Sequence, residues 1–476
     1  MTPDDYARHD GLGLAALIAE GAVTAAEVVA AAIARVEARD PALNAVVLPA
    51  FEAALAEATD IGAGPFAGVP FVVKDLGCAQ AGRRHTLGSR YLEHNVAEVD
   101  AELYRRYRRA GLIALGRTNT PEWGLNVATE PALFGPTRNP WNSDYSPGGS
   151  SGGTAAAVAA RMVPLGHASD GGGSIRIPAS CCGLFGLKPT RMRTPHGPVA
   201  SEGWSGFASA HVLTRSVRDS AAALDATAGP DIGDPYAAPA VSGSYLAALD
   251  APPGRLRIAL VREPFDDLAV AADCLAAVED AARLCAELGH VVVEARPAFD
   301  VAAFNQAKLA VIAANAAADI AEIGDLVSRP PAVDELEPAT RLIVEAGAEV
   351  GASEMALAIR LIQRVSRVVG RFMVDHDLIL TPTLARIPAR IGALRTDVDS
   401  LDAFARSTRP YIAFTSLFNA TGQPAMSVPL YWNAAGLPIG VQFAARFGDE
   451  TTLFRLAAQL EQARPWAGRR PPDQDA

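Results

Sequence analysis

Two apolar runs, LRIALVRE (256–263) and HVVVEARP (290–297), flank ADCLAAVEDAARLCAELG (272–289), whose apolar residues recur at helical spacing and which ends on glycine. Strand, helix and strand in that order require a crossover, so the two strands lie parallel in one sheet. That excludes all-helical and purely meandering β architectures. Further strands are expected at LNAVVLP (43–49), GVPFVVK (68–74) and DLILTPT (377–383), and at MSVPLYW and PIGVQFAA across an Asn433–Gly436 turn. Helices are expected at 24–39, where Thr24 and Glu27 have capping-box spacing, and at 450–463. The expected fold class is α/β: a single large domain over 1–476, with a mixed, mainly parallel β-sheet covered by helices on both faces. The piece around 228–254 reads as an irregular excursion and the tail after Trp466 as frayed.

Charge and targeting signals narrow the function classes. The chain has 53 acidic against 42 basic residues, a formal charge of -11, which argues against nucleic-acid partners. The N-terminus has aspartates where a signal peptide needs positive charge, and no apolar run approaches the length of a membrane span, so a cytoplasmic protein off the membrane is expected. Five cysteines without a CxxC array, and eight scattered histidines, point to no metal and no cofactor. The adjacent Cys181 and Cys182 read as packing residues in preference to a redox pair.

Three segments can carry chemistry. Lys74 closes an apolar strand; it either reaches water or, if buried, loses its charge and becomes a base. SPGGSSGGTAAAVAA (146–160) is a Gly/Ser loop entering an alanine-rich helix. It satisfies G-x-S-x-G twice, but the turn-rich RNPWNSDYSP before it is not the strand a nucleophile elbow expects. DGGGSIRIP (170–178) sets Gly171, Gly172 and Gly173 before Ser174. Backbone N–H groups so bared can converge on an anion, and beside a hydroxyl they meet the needs of acyl transfer. A plain glycine turn is the competing reading, and Asp170 and Arg176 read as a structural pair bracing the loop.

Lys74 at a strand end, GGSSGG, and D-x-G-G-S-I-R-x-P beginning at Asp170 together resemble the amidase signature family. GRTNTPEWG (116–124), GPTRNPWN (135–142), CGLFGLKPTRMR (182–193), TRSVRDSAAALD (214–225) and NATGQPAMSVPL with GLPIGVQF (419–443) are similar to family segments in the same order. The resemblance implies a signature core at about 65–225, a substrate-cap region at about 225–375, and C-terminal strands and helix at about 376–466. It also implies Ser174 as nucleophile, Ser150 on a cis peptide as bridging serine, and Lys74 as base. Gly171, Gly172 and Gly173 supply the oxyanion hole, with Ser151, Asp170 and Arg176 in support. Trp123, Leu125, Asn126, Phe134 and Trp204 fall in segments that the resemblance places near the acyl pocket.

Within the family the flanking segments look closest to hydrolases of 6-aminohexanoate cyclic dimer and their aryl-amidase relatives. Gly171 departs from the threonine or isoleucine of many members, which should loosen the oxyanion loop or make room above it. Leu125 stands where those hydrolases carry asparagine, and their central cysteine has no counterpart in AKLAVIAANAAADIA. The implied function is hydrolysis of a small, fairly apolar linear or cyclic amide or anilide, with a homodimer unsurprising. The alternatives are cleavage of a carbamate or ester at the same site and, in another class, the glutaminase subunit of a tRNA-dependent amidotransferase, which needs partner subunits.

Overall fold

The computed structural model describes residues 1–472. Eleven strands form one sheet in the order β1-β3-β2-β4-β6-β5-β10-β11-β9-β7-β8. They are β1 (Val46–Pro49), β2 (Val69–Lys74), β3 (Leu112–Thr118), β4 (Leu165–Asp170), β5 (Phe185–Lys188), β6 (Ser209–Thr214), β7 (Arg257–Leu260), β8 (Val291–Glu294), β9 (Leu378–Pro382), β10 (Ala425–Trp432) and β11 (Pro438–Ala445). The crossover unit forms as expected, with β7 and β8 parallel and the Ala272–Glu287 helix between them.

The sheet is mixed, but the expectation that it is mainly parallel fails. Parallel pairing is confined to β2 with β3 and β4, and β7 with β8 and β9, while the six other pairings are antiparallel. The physical reason is partly connection length: β10 turns directly into β11 across the expected hairpin, too short a link for a crossover.

Alternation along single strands shows how both faces are covered. Leu378 and Leu380 of β9 pack with the Ala272–Glu287 and Glu450–Ala463 helices, whereas Ile379 between them packs with the Val301–Leu326 and Ala352–Phe372 helices. The stretch 225–375 contributes both to the sheet and to its covering layer. Its first half, through β8, widens the sheet, and its three following helices, Val301–Leu326, Pro338–Ala348 and Ala352–Phe372, gather on one side.

Two boundaries differ instructively from the sequence pattern. The first long helix runs Ala25–Leu43, past Asp40 and Pro41, with the expected capping box at Thr24 and Glu27. Asn44, at φ 53, closes it in the left-handed conformation, and the Asp40 carboxylate accepts the N–H groups of Ala45 and Val46. The tail is tied down through Arg469. Trp466 is buried and its indole donates to the Arg215 carbonyl, while the Arg161 guanidinium donates to the carbonyls of Ala467 and Arg469. The rest of that tail, residues 473–476, lies outside the described residues. The 228–254 segment is irregular apart from a turn of helix at Tyr245–Ala248.

The topology places the site. Because β2 and β4 are parallel, with Phe71 opposite Leu165, their C-terminal ends reach the same edge of the sheet. Strand ends of this kind are where open α/β sheets present their chemistry.

Candidate active site

At that edge the Lys74 side chain is wholly buried. Its Nζ lies 2.7 Å from Ser150 Oγ and 3.0 Å from Ser169 Oγ, both within hydrogen-bonding distance. Burial favours the neutral amine and, against an opposing pull from Asp170, brings the pKa from 10.5 down to about 7. The structure thus resolves the two readings of this lysine in favour of burial. Arg117, also buried, donates to the Lys74 carbonyl and pairs with the Asp75 carboxylate at 3.5 Å, so the backbone on both sides is held.

Ser150 follows a cis peptide from Gly149 and is itself buried. The helix Gly152–Ala159 begins two residues later, and its glycines permit close packing: a Cβ on Gly153 would lie 2.5 Å from the Asn119 nitrogen. Ser151 binds the same strand end from the other side. Its Oγ donates to the Ser169 carbonyl at 3.2 Å, and its N–H donates to the Ser174 carbonyl at 3.3 Å.

β4 ends at Asp170, whose buried carboxylate organises the turn that follows. Arg176 donates to it twice, from Nε and Nη2, at 2.8 Å each, and the Ile175 N–H donates at 3.2 Å. Asn419 adds a bond from Nδ2 at 2.8 Å. Burial by itself would raise this pKa, but Arg176 and Asn419 overcome it and hold the carboxyl at about 2. The remaining Arg176 donors reach the Thr415 carbonyl, Gln442 Oε1 and Asn419 Oδ1 at 2.6–2.8 Å.

Wrapped around that ion pair, Gly171 to Ser174 form the turn. Thr415 Oγ1 donates to the Gly172 carbonyl at 2.6 Å, and the Ile177 N–H donates to the Gly173 carbonyl at 2.7 Å. Carbonyls are therefore engaged on the inner side. Among the described residues no acceptor takes the N–H of Gly171, Gly172, Gly173 or Ser174. Gly173 has φ +141, and a Cβ there would lie 2.5 Å from Thr415 Oγ1, so glycine is required. Ser174 is half-buried, and its Oγ has no hydrogen-bond partner among the described residues. Lys74 and Ser150 are thus joined, while the link from Ser150 to the Ser174 hydroxyl is not closed in this structure.

The five residues expected near the pocket divide. Trp123 (φ 52) and Leu125 pack with Leu76, Leu87 and Ile320, and a Cβ on the intervening Gly124 would be 3.2 Å from Ser150 Oγ. Trp204 lies against Gly171, whose absent Cβ would fall 2.9 Å from two indole carbons. Asn126 is instead a structural residue: buried, it donates to the Leu394 carbonyl and caps the Val127 N–H. Phe134 is half-buried and its carbonyl accepts from Asn44. The room that Gly171 opens is already filled by indole.

Sequence reading overlooked Ser169, Thr415, Asn419 and Gly124. Ser169 carries a weak signal, sitting one residue before Asp170 on the strand that feeds the loop. Asn419 and Thr415 carry none, since the groups they hold in the turns after β4 and before β6 are more than 200 residues away. All five cysteines are free and buried, and burial pushes both the Cys181 and Cys182 thiols up, as packing residues require.

The amidase family model matches residues 27–454. The chain belongs to the amidase family. It is a hydrolase of amide C–N bonds. Over 475 residues it is 39% identical to the 6-aminohexanoate-cyclic-dimer hydrolase of Paenarthrobacter ureafaciens, covering 97% of this chain and 96% of that one. A solved structure of 6-aminohexanoate cyclic dimer hydrolase superposes with a TM-score of 0.94 at 39% identity, over 98% of this chain and 99% of that one. A bacterial aryl acylamidase of the amidase signature enzymes gives 0.88 at 28% identity, over 97% and 99%. Among the described residues, no helix of this amidase is long and apolar enough to cross a membrane, and no group of three or more His, Cys, Asp or Glu could hold a metal ion.

Two predictions follow from the buried charges. The folded pKa of Lys74 is depressed, so between about pH 7 and 10.5 the unfolded chain holds a proton that the native amidase lacks; stability rises with pH across that window, and the full penalty applies below it. Lys74→Met should therefore raise the thermal midpoint at pH 7, with a gap that closes toward pH 10, while kcat falls about 10²–10⁴-fold. Arg176→Met leaves the Asp170 carboxylate buried and unpaired, and should cost about 3–5 kcal/mol in denaturant unfolding.

Proposed function

We propose that this amidase hydrolyses a small, fairly apolar linear or cyclic amide or anilide through an acyl-enzyme on Ser174, with Lys74 as base and Ser150 as relay. The observation that carries the reading is the buried Lys74 amine bonded to Ser150, at the same sheet edge as a turn with four unengaged N–H groups. Neutral Lys74 takes the Ser150 proton while Ser150 takes that of Ser174, whose Oγ forms a bond to the carbonyl carbon. The negative charge arriving on the carbonyl oxygen is met by N–H groups of the Gly171–Ser174 turn, each worth about 3–4 kcal/mol in such a role. The proton returns along the relay to the leaving nitrogen as the C–N bond breaks. Water then attacks the ester by the same relay, releasing the acid and restoring Ser174.

Leu125, Trp123 and Trp204 give the surroundings an apolar character, which supports an apolar substrate. Both 6-aminohexanoate cyclic dimer hydrolase and aryl acylamidase, named for amide substrates, share the fold across nearly the whole chain. Lys74, Ser150 and Ser174 come from one chain, so a homodimer is not needed to complete the site. Free, buried thiols agree with a reducing, cytoplasmic setting.

Because only neutral Lys74 can accept a proton, kcat/KM should fall about tenfold per pH unit below about pH 7 and level off above it. Ser174→Ala should abolish turnover of matched amide, carbamate and ester substrates. Mass spectrometry of the wild type quenched on a slow substrate should find the acyl group on the Ser174 peptide. Intact activity in Ser174→Ala removes the nucleophile assignment, and cleavage of carbamates alone removes the amide reading.

A further inference from the structure

The antiparallel register of β4 and β6 sets Asp170 opposite Ser209. Residues just after 170 and just before 209 therefore leave the sheet at the same edge, side by side. Asn419 fastens the two segments together: its Nδ2 donates to the Asp170 carbonyl at 2.9 Å and to the Phe207 carbonyl at 3.1 Å. The nucleophile turn and the Gly203–Phe207 turn are in this way a single braced unit.

Trp204 occupies the apex of the second turn. Both Trp204 (φ 51) and Ser205 (φ 52) are in the left-handed region, which disfavours side chains of this kind and marks a conformation held by its surroundings. The holding groups come from the Val301–Leu326 helix. Asn315 Nδ2 donates to Ser205 Oγ at 3.0 Å, and the Asp319 carboxylate lies beside the Trp204 indole. Asn315 and Asp319 are four residues apart and so share one helix face.

The indole so held lies on Gly171. An ideal Cβ at Gly171 would come within 2.9 Å of indole Cε3 and Cζ3, closer than carbon atoms pack, whereas one at Gly172 meets nothing within 4 Å. The turn beside Ser174 is thus closed on the Gly171 side and open on the Gly172 side. We infer that Trp204, braced by Asp319 and Asn315, is the specificity-determining wall of the acyl subsite, and that it admits slender acyl groups and rejects those branched next to the carbonyl. Gly171 is glycine because the indole needs its space.

This rests on Ser174 as the nucleophile. With the acyl oxygen held by the N–H groups of the turn, the carbon bearing the first acyl substituent lies next to that turn. A methylene chain can leave past the open side, while a second branch meets the ring.

The test uses 4-nitroanilides of hexanoic acid and of its α-branched isomer 2-ethylbutanoic acid, with wild type, Trp204→Ala, Gly171→Ala and the double variant. Trp204→Ala should raise the branched-to-linear ratio of kcat/KM at least about tenfold, the scale set by one or two methylenes in an apolar pocket. Gly171→Ala should lower kcat/KM at least about tenfold in the wild type and less than about threefold in the Trp204→Ala background, since residues in contact are not additive. Trp204→Phe, with a smaller ring, should give an intermediate ratio and serves if the alanine variant does not fold.

An unchanged ratio, or an equal loss from Gly171→Ala in both backgrounds, overturns the inference and leaves the indole as packing. Labelling rates with linear and branched alkyl fluorophosphonates read the same subsite without amide turnover. A wild type that cleaves no anilide but labels at Ser174 would count against the proposed substrate class, and the labelling ratio would still decide the wall.

Discussion

A carboxylate with no access to water stands at the end of β4, and much of the site follows from what it needs. Asp170 takes two bonds from Arg176, one from Asn419 and one from the Ile175 N–H. An unpaired charge at that depth would be severely destabilising, so the chain after Asp170 must curl until Arg176 arrives. Five residues lie in that curl, and two of them have no room for a side chain: Gly173 abuts Thr415 and Ile177, and Gly171 abuts Trp204. The carbonyls of Gly172 and Gly173 turn inward to their donors, and the N–H groups are left over. The ion pair thereby sets the shape of the turn that the proposed mechanism uses to receive a developing oxyanion.

Lys74 shows the opposite treatment of charge. Carboxylates and carbonyls surround the Arg117 and Arg176 guanidinium groups. The partners of Lys74 are the hydroxyls of Ser150 and Ser169, neutral groups that stabilise an amine as well as an ammonium. Asp170 is near enough to matter but is already committed to Arg176. Depth in the sheet therefore prevails, and the amine is available near neutral pH. One ion pair is kept complete so that the neighbouring lysine can remain without one.

How much of this was legible depended on chain distance. The crossover unit, the capping box at Thr24 and the terminal hairpin are local patterns, and the chain adopts them. Lys74, GGSSGG and DGGGS were legible because each is a short run of unusual residue types, though their meeting in space rested on resemblance until the parallel β2–β4 register was seen. What failed was non-local. The antiparallel majority in the sheet depends on which strands find each other, not on their composition. Thr415 and Asn419 act from the far end of the chain, and Asn126 looked like a pocket residue only by its place in a segment. Gly171 was noticed as a departure, but its reason is a tryptophan 33 positions on, invisible to any pattern of neighbours.

The helix that bears Asn315 and Asp319 is also held from its outer side. Gly347, near the end of the Pro338–Ala348 helix, lies so close to this helix that an added Cβ would fall 2.0 Å from the Ala313 carbonyl oxygen. Two backbones touch there, with no side chain between them to yield. Any residue larger than glycine must push the helices apart, and Asn315, only two positions from the contact, would travel with the displacement. On the reading of Trp204 as the wall of the acyl subsite, an outer-layer glycine shares in that wall by leverage alone, and variation remote from the chemistry would retune which substrates enter while leaving the reacting groups untouched.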